Sequence, residues 1–556
     1  MRRILLTVAI AAVAALLPAE GASASATQES VFMDDARLVY GTDAQVEQTL
    51  DVLRSLGVDR LRISVFWRLL APHPDDTTRP SFDEADPAAY NPSDWDRFDR
   101  LVIGALRRGI APYLTITGPG PLWASSDPSR REQMWDPSPS DFRAFVTAVG
   151  RRYSGGYVDE QPESAPSPSG LPLPPLPLGG GSKLTAGAAP SVLPRVSFWS
   201  AWNEPNQPGW LRPQTQSRVP ASPRLYRALQ DAAYAGLRDS GHGGDSYVLA
   251  ETAPRGSSRL RETSPMRPLV FIRELYCLNR RLRTYRGHAA AVRGCPTGAA
   301  GRRRFAADHP GLFHATGWAH HPYAFEVAPH VRDPNRDQVT ISTLYRLTRT
   351  LDRILRRYGV RRRLPIWLTE YGYQTKPPDP FLGVSWARQA AYLNEGEAIA
   401  YRNRRVKSSA QFLLLDDGPD SRFAPDDPRY WGSTFQTGLT THEGTLKPSF
   451  YSWQRGLYVS PGRARRARRG KRLRVFGWLR PAAAGAHLTA RLQFQRHGSS
   501  RWRVVRRLTT HSLRNYLVAH VRARSSGLWR LAWRNPSGGA ALYSRTAFVR
   551  VSARRR

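Results

Sequence analysis

From about residue 31 to 459 short β-like runs alternate with amphipathic helical stretches, and this alternation constrains the fold more than any other feature of the chain. Repeated strand-then-helix units build a parallel sheet covered by helices. Strands are read at residues 38–40, 60–66, 110–117, 196–202, 247–252, 316–319, 365–369 and 410–415. The first helix starts at Asp43, carries Val46, Leu50, Leu53 and Leu56 at helical spacing, and stops at Gly57. Further helices are read at 93–108, 140–153, 223–238, 268–278, 341–358, 386–401 and 448–457. Eight strands and eight helices in strict order predict a closed (β/α)8 TIM barrel. The alternative, a doubly wound open sheet, needs a glycine-rich phosphate turn after a strand, and the sequence contains none.

Two stretches depart from the pattern. Residues 159–195 are rich in Pro, Ser and Gly, with Pro172, Pro174, Pro175 and Pro177 close together. They read as a disordered insertion between a helix and the next strand, on the barrel face away from an active site. The 556-residue chain also exceeds a barrel of about 250 residues, so a second domain is expected. Strand-like runs at 473–479, 488–494, 502–508, 516–521, 529–533 and 546–551 predict a small all-β, Ig-like sandwich over residues 472–556. Residues 460–471 read as a basic linker.

The N-terminus has the form of a signal peptide over residues 1–26. Arg2 and Arg3 precede an apolar run from Ile4 to Leu17, and Ala22-Ser23-Ala24 supplies small residues for cleavage. This reading makes the protein secreted; an uncleaved anchor is the alternative, although the run is short for a bilayer span. In an exported protein the two cysteines, Cys277 and Cys295, suggest a disulfide; two free thiols are the other possibility. Cysteine spacing for a structural zinc is absent. The formal net charge of +37 invites a nucleic-acid reading. The basic residues are nearly all Arg and run through the whole chain, so no specific nucleic-acid site is predicted. The region from Gly462 onward, with many Arg and no Asp or Glu, is the place where an anionic cell-wall polymer would bind.

Two motifs carry chemistry. Trp202-Asn203-Glu204-Pro205-Asn206 ends predicted strand four, and Thr369-Glu370-Tyr371-Gly372-Tyr373 ends predicted strand seven. Strand C-termini face the mouth of a barrel. Two carboxylates on that rim can flank a glycosidic bond. Trp67, Trp123 and Trp210 follow predicted strands two, three and four, where they serve either as sugar platforms or as core packing. Trp478, Trp502, Trp529 and Trp533 are expected in the core of the C-terminal domain rather than on a glycan-binding strip.

These motifs resemble clan A glycoside hydrolases, the group that includes the cellulase-like family 5 and the family 39 enzymes. The likeness is carried by Asn203-Glu204-Pro205, Glu370, Arg62 in Leu61-Arg62-Ile63-Ser64, and His321-Pro322-Tyr323, and spans residues 31–459. It implies that Glu204 is the acid/base and Glu370 the nucleophile of a retaining glycosidase. It implies that Tyr323 hydrogen-bonds Glu370, and that Arg62, Asn203 and His321 bind substrate. No metal or organic cofactor is implied. The sequence departs from relatives that place a Trp after strand eight; here Leu413-Leu414-Leu415-Asp416-Asp417 follows, with no Trp until Trp431. A catalytically inactive glycan-binding barrel and a polyanion-binding protein are the alternative functions.

Overall fold

The computed structural model describes residues 27–159, 191–462, 466–510, 512–534 and 540–552. The signal-peptide segment and most of the 159–195 insertion lie outside the described residues. The insertion leaves and returns through a short antiparallel pairing of Val158–Asp159 with Ser191–Val192.

Eight parallel strands form the first domain: β1 (Glu29–Met33), β2 (Arg60–Phe66), β3 (Ala111–Thr117), β4 (Phe198–Ala201), β5 (Ser246–Thr252), β6 (Gly317–His320), β7 (Ile366–Leu368) and β8 (Ser408–Phe412). The sheet order is β7-β6-β5-β4-β3-β2-β1-β8. A parallel bridge between Ile366 and Val406 closes it. The Ser408 hydroxyl completes the seam, receiving the Leu368 N–H and donating to the Leu368 carbonyl, both at 2.7 Å.

The covering helices are α1 (Asp43–Ser55), α2 (Pro92–Arg107), α3 (Pro139–Arg152), α4 (Ser222–Asp239), α5 (Pro268–Leu275), α6 (Leu344–Arg357), α7 (Trp386–Arg402) and α8 (Pro448–Gln454). Their starts follow from local chemistry. Thr42 and Gln45 form a reciprocal capping box on α1, and Ser138 and Ser385 cap α3 and α7. Each helix packs an apolar stripe on the strands, giving one continuous core. None of the described helices is long and apolar enough to cross a membrane.

The first strand is a correction. It occupies Glu29–Met33, whereas Leu38 ends a short helix, Asp35–Leu38, capped by the Asp34 carboxylate. Leu38 and Val39 are buried, so their apolar character reports packing and not a strand.

The lower lumen is plugged. Tyr113, Phe198, Val248 and Ala319 pack together with Trp367, and the Arg60 guanidinium lies 4.2 Å from the Phe198 ring centre. Above this plug the lining turns polar, with Arg62, Thr115 and Ser200 all buried.

Cys277 and Cys295 form a disulfide across 18 residues in the loop after α5. Closing a loop of that length restricts the unfolded chain by about 3 kcal/mol. The Cys277→Ser/Cys295→Ser variant is expected to lose about that much stability in urea unfolding. The upper ends of the strands should be undisturbed, because loops that follow helices lie on the opposite face. An unchanged unfolding midpoint would contradict this.

The second domain is all-β. One sheet joins β9 (Leu457–Val459), β11 (Arg472–Trp478) and β14 (Tyr516–Arg522). The other runs β10 (Arg466–Arg468), β17 (Ala547–Ser552), β15 (Gly527–Arg534), β12 (Thr489–Arg496) and β13 (Trp502–Thr509), with β16 (Ala541–Tyr543) on β15. Leu473, Val475, Leu517, Leu492, Trp529 and Trp533 fill the space between them. The proposed linker therefore holds a strand, β10, paired with β17, and β9 lies upstream of the expected boundary.

The domain docks against the lower rim of the barrel. Arg514 reaches Glu29 and Asp59 at the starts of β1 and β2, at 3.0 and 2.8 Å. Phe476 and Tyr516 pack at a tilt on Tyr401 of α7, and the Trp478 indole donates to the Trp453 carbonyl at 2.7 Å. Arg480 and the Tyr516 hydroxyl both donate to the buried Glu397, at 2.7 and 2.8 Å. Gln28 donates to the Tyr516 oxygen at 3.2 Å.

Candidate active site

The upper ends of the strands converge on one buried ionic cluster. β2 supplies Arg62, the turn after β4 supplies Asn203 and Glu204, and β5 supplies Glu251. His321 and Tyr323 follow β6; Thr369 and Glu370 follow β7.

Local backbone explains how these side chains are aimed. Trp202 and Glu204 take left-handed conformations, with φ of 67° and 35°. Such angles cost about 1–2 kcal/mol per residue and persist only where the surroundings fix them. Here the Trp202 indole is buried and donates to the Trp210 carbonyl at 3.0 Å. The Glu204 N–H donates to the Glu251 carbonyl at 3.0 Å.

Glu370 receives Arg62 Nη1 at 2.6 Å and the Tyr323 hydroxyl at 3.0 Å, one on each oxygen. Arg62 also donates to Asn203 Oδ1 at 2.8 Å and to Thr115 Oγ1 at 2.9 Å. His321 bridges carboxylates: Nδ1 lies 2.8 Å from Glu204 and Nε2 lies 3.0 Å from Glu251. Nδ1 is also 3.4 Å from Glu370. One carboxylate oxygen of Glu204, one of Glu370 and a His321 nitrogen all fall within 4.8 Å of one another.

Burial pulls the His321 pKa down, but the Glu370 charge and the bonds to Glu204 and Glu251 hold it up at about 9. The ring is therefore an imidazolium at neutral pH, with both nitrogens donating. Burial opposes ionisation of Glu251 as well, yet the Arg62 charge and then His321 bring its pKa down to about 2. Glu204 moves the other way. Burial raises it and the Glu370 charge adds to the rise, against the pull of His321. Two cations, Arg62 and His321, thus sit among three carboxyl groups, Glu204, Glu251 and Glu370.

No family model matches the chain. No curated protein matches it either. Solved structures similar to it include a β-glucosidase from Thermotoga maritima in complex with castanospermine, at 12% identity and a TM-score of 0.43, covering 77% of this chain and 96% of that one. Another is GH5_18 from Streptomyces cattleya in complex with GlcNAc, at 14% identity and a TM-score of 0.41, covering 78% and 81%. A β-glucosidase from Trichoderma harzianum matches at 14% identity and a TM-score of 0.41, covering 78% and 97%. The barrel itself is defined by the strand order and register above.

Several expected site residues sit differently from their sequence reading. Arg62 and His321 are fully buried beneath the carboxylates, so they hold Glu204 and Glu370 in place and do not face a substrate. Trp67 and Trp123 are core residues: Trp67 stacks on Phe145 and meets Trp123 edge-on, and the Trp123 indole donates to the Pro72 carbonyl. Trp210 is half-buried and stacked with Phe66. His320, a neighbour indistinguishable from His321 in the sequence, turns away to the Thr252 hydroxyl and the Val339 carbonyl. In the C-terminal domain Trp502 is half-buried with Arg530 over its ring, outside the core.

Three residues were missed. Glu251, fully buried, accepts from the hydroxyls of Tyr113, Ser200 and Thr369 as well as from His321. Simple alternation from Val248 points it out of the barrel. Ala250 and Glu251 have φ of 90° and 43°, and the pairing with β6 shifts register at this point. This bulge turns the carboxylate inward. Asp35, just beyond β1, accepts from the Ser64 N–H at 3.4 Å, and burial pushes its pKa up to about 7. Phe435 fills the strand-eight position without a Trp: its exposed ring packs on Phe412, which packs on Tyr323.

The raised His321 pKa has a testable sign. An imidazole that titrates near 9 when folded and near 6.5 when unfolded contributes stability in full below about pH 6.5, and loses it as pH rises through 9. The contribution is about 3 kcal/mol. The melting-temperature gap between wild type and His321→Gln is expected to shrink steadily from pH 6.5 to 9.5. A gap that stays constant over that range contradicts an imidazolium at this position.

Proposed function

We propose that the chain is a secreted, retaining glycoside hydrolase that cleaves a β-linked glycan by double displacement. The observation that carries this is the approach of Glu204 and Glu370 to within 4.8 Å across the barrel mouth. Retention uses carboxyls about 5–5.5 Å apart, whereas inversion needs several ångströms more to admit a water.

The residues divide the work by environment. Glu370, which accepts from Arg62 and Tyr323, attacks the anomeric carbon. Glu204, whose pKa burial raises, gives a proton to the departing oxygen. The product is a glycosyl ester on Glu370. Glu204, now ionised and steadied by His321, takes a proton from water, and that water breaks the ester. Its side chain is 18% exposed against 8% for Glu370, which suits the partner that must meet both leaving group and solvent. The Asn203 oxygen is taken by Arg62, which leaves its NH2 for a sugar hydroxyl. Asp35 and Phe435 are placed to bind a hydroxyl and a ring face of the substrate.

Both catalytic carboxyls are present with their supports, which favours an enzyme over an inactive glycan-binding barrel. The deciding experiment incubates the protein with a panel of aryl β-glycosides in methanol–water and follows the anomeric proton by NMR. The first-formed methyl glycoside is expected to be β. An α product, or no turnover across glucosides, xylosides, mannosides and galactosides, overturns the reading.

A further inference from the structure

The barrel and the C-terminal domain treat arginine differently. Several barrel arginines are ion-paired in place: Arg60 with Glu29, Arg108 with Glu47 and Asp51, Arg152 with Asp99, Arg255 with Asp333, Arg405 with Asp352. From residue 462 onward there are 24 arginines and no Asp or Glu at all. Arg480 and Arg514 reach across to barrel acids. The rest of the domain has no acid of its own to pair with.

One strip of the domain stacks unpaired charge on itself. Along β11 and β14 the same sheet face carries Phe476, Trp478 and Tyr516, where α7 and α8 of the barrel cover it. Beyond the end of α7 at Arg402 that face continues as Arg474, Arg472, His520 and Arg522. Arg472 stands directly opposite Arg522, and Arg474 opposite His520. Arg506 of β13 joins them: the charges of Arg472, Arg474 and Arg506 all act on His520. Arg402 acts on Arg474 from the barrel side. Arg402, Arg472, Arg506, His520 and Arg522 are exposed. Among the described residues none of these arginines has a carboxylate within 4.0 Å.

Like charges directly opposite on neighbouring strands destabilise a sheet. A strip that stacks several of them, in a domain without an acid of its own, is complementary to an external polyanion. We propose that this ridge docks a carboxylated polysaccharide, with the guanidinium forks taking its carboxylates. The choice of a glycan rests on the glycosidase reading of the barrel: the ridge lies at the lower rim, so the polymer can hold the protein while the mouth stays open to substrate. Nucleic acid is disfavoured by shape. The strip is a flat two-stranded surface with no helix to enter a groove, and no Trp, Tyr or Phe stands exposed on it to stack a base.

The test uses the full chain and soluble polygalacturonate at about 0.15 M ionic strength, with dextran and duplex DNA at matched concentration. Wild type is expected to bind polygalacturonate in a salt-dependent way and to ignore dextran. Arg472→Ser/Arg506→Ser/Arg522→Ser is expected to weaken binding by about tenfold or more, to melt no lower than wild type, and to keep its rate on a small aryl β-glycoside. Equal binding by the variant overturns the ridge, and DNA bound as tightly as polygalacturonate overturns the glycan. An active enzyme that binds neither polymer sinks this proposal alone; binding without glycosidase activity sinks the barrel reading and leaves the ridge.

Discussion

Glu370→Gln is expected to lose turnover by roughly 10⁶-fold, the scale on which enzymes that pass through a covalent intermediate depend on their nucleophile. An amide matches the carboxylate in size but cannot form the glycosyl ester. It also presents an N–H2 toward donors that need an acceptor. Arg62 keeps its bonds to Asn203 and Thr115 and retains Glu251 at 3.6 Å, so the guanidinium is not stranded. The fold should therefore survive with a modest loss of melting temperature. Mass spectrometry after incubation with a 2-fluoro glycosyl fluoride supplies the second readout: wild type gains one sugar on the peptide containing Glu370, and the variant gains none. A sugar attached to another residue, or turnover within tenfold of wild type, contradicts the assignment.

Glu204→Ala divides substrates by their leaving group. A dinitrophenolate departs without a proton, so formation of the glycosyl-enzyme should be little affected for a dinitrophenyl glycoside. For a simple phenyl glycoside or an oligosaccharide the rate should fall by about 10²–10⁴-fold, the usual worth of general acid catalysis. Hydrolysis of the ester also loses its base, so the intermediate accumulates and KM for the activated substrate drops. Azide is already ionised and needs no base. Added azide should restore the rate and yield the β-glycosyl azide. Equal losses for both kinds of leaving group, with no azide product, would place the proton donor elsewhere.

Much of this was legible in the residues. β2, β3 and β5 match their predicted spans to within a residue or so, because each is rich in β-branched, aromatic and aliphatic residues and follows a turn that closes a helix. Glu204 and Glu370 could be found because each directly follows a strand-like run. Glu251 could not. Its inward aim depends on two left-handed residues, Ala250 and Glu251, which period-two counting cannot anticipate. Asp35 was hidden by the misplaced first strand; with β1 ending at Met33, it stands at the rim. The tryptophans divide for another reason. Whether Trp67 lies against Phe145 or against a sugar is decided by a distant helix, and nothing near Trp67 in the chain records it.

The contact between Gln28 and Tyr516 spans 488 residues. Glu397, deep in the same contact, meets its counter-charge Arg480 only 83 residues later. A chain made from its N-terminus therefore carries a nearly complete barrel with an acid awaiting its cation and an open lower rim. Removing one partner of a buried ion pair costs about 3–5 kcal/mol, a large share of what holds a folded protein together. The barrel is thereby expected to reach its full stability only once the C-terminal domain has folded against its lower rim.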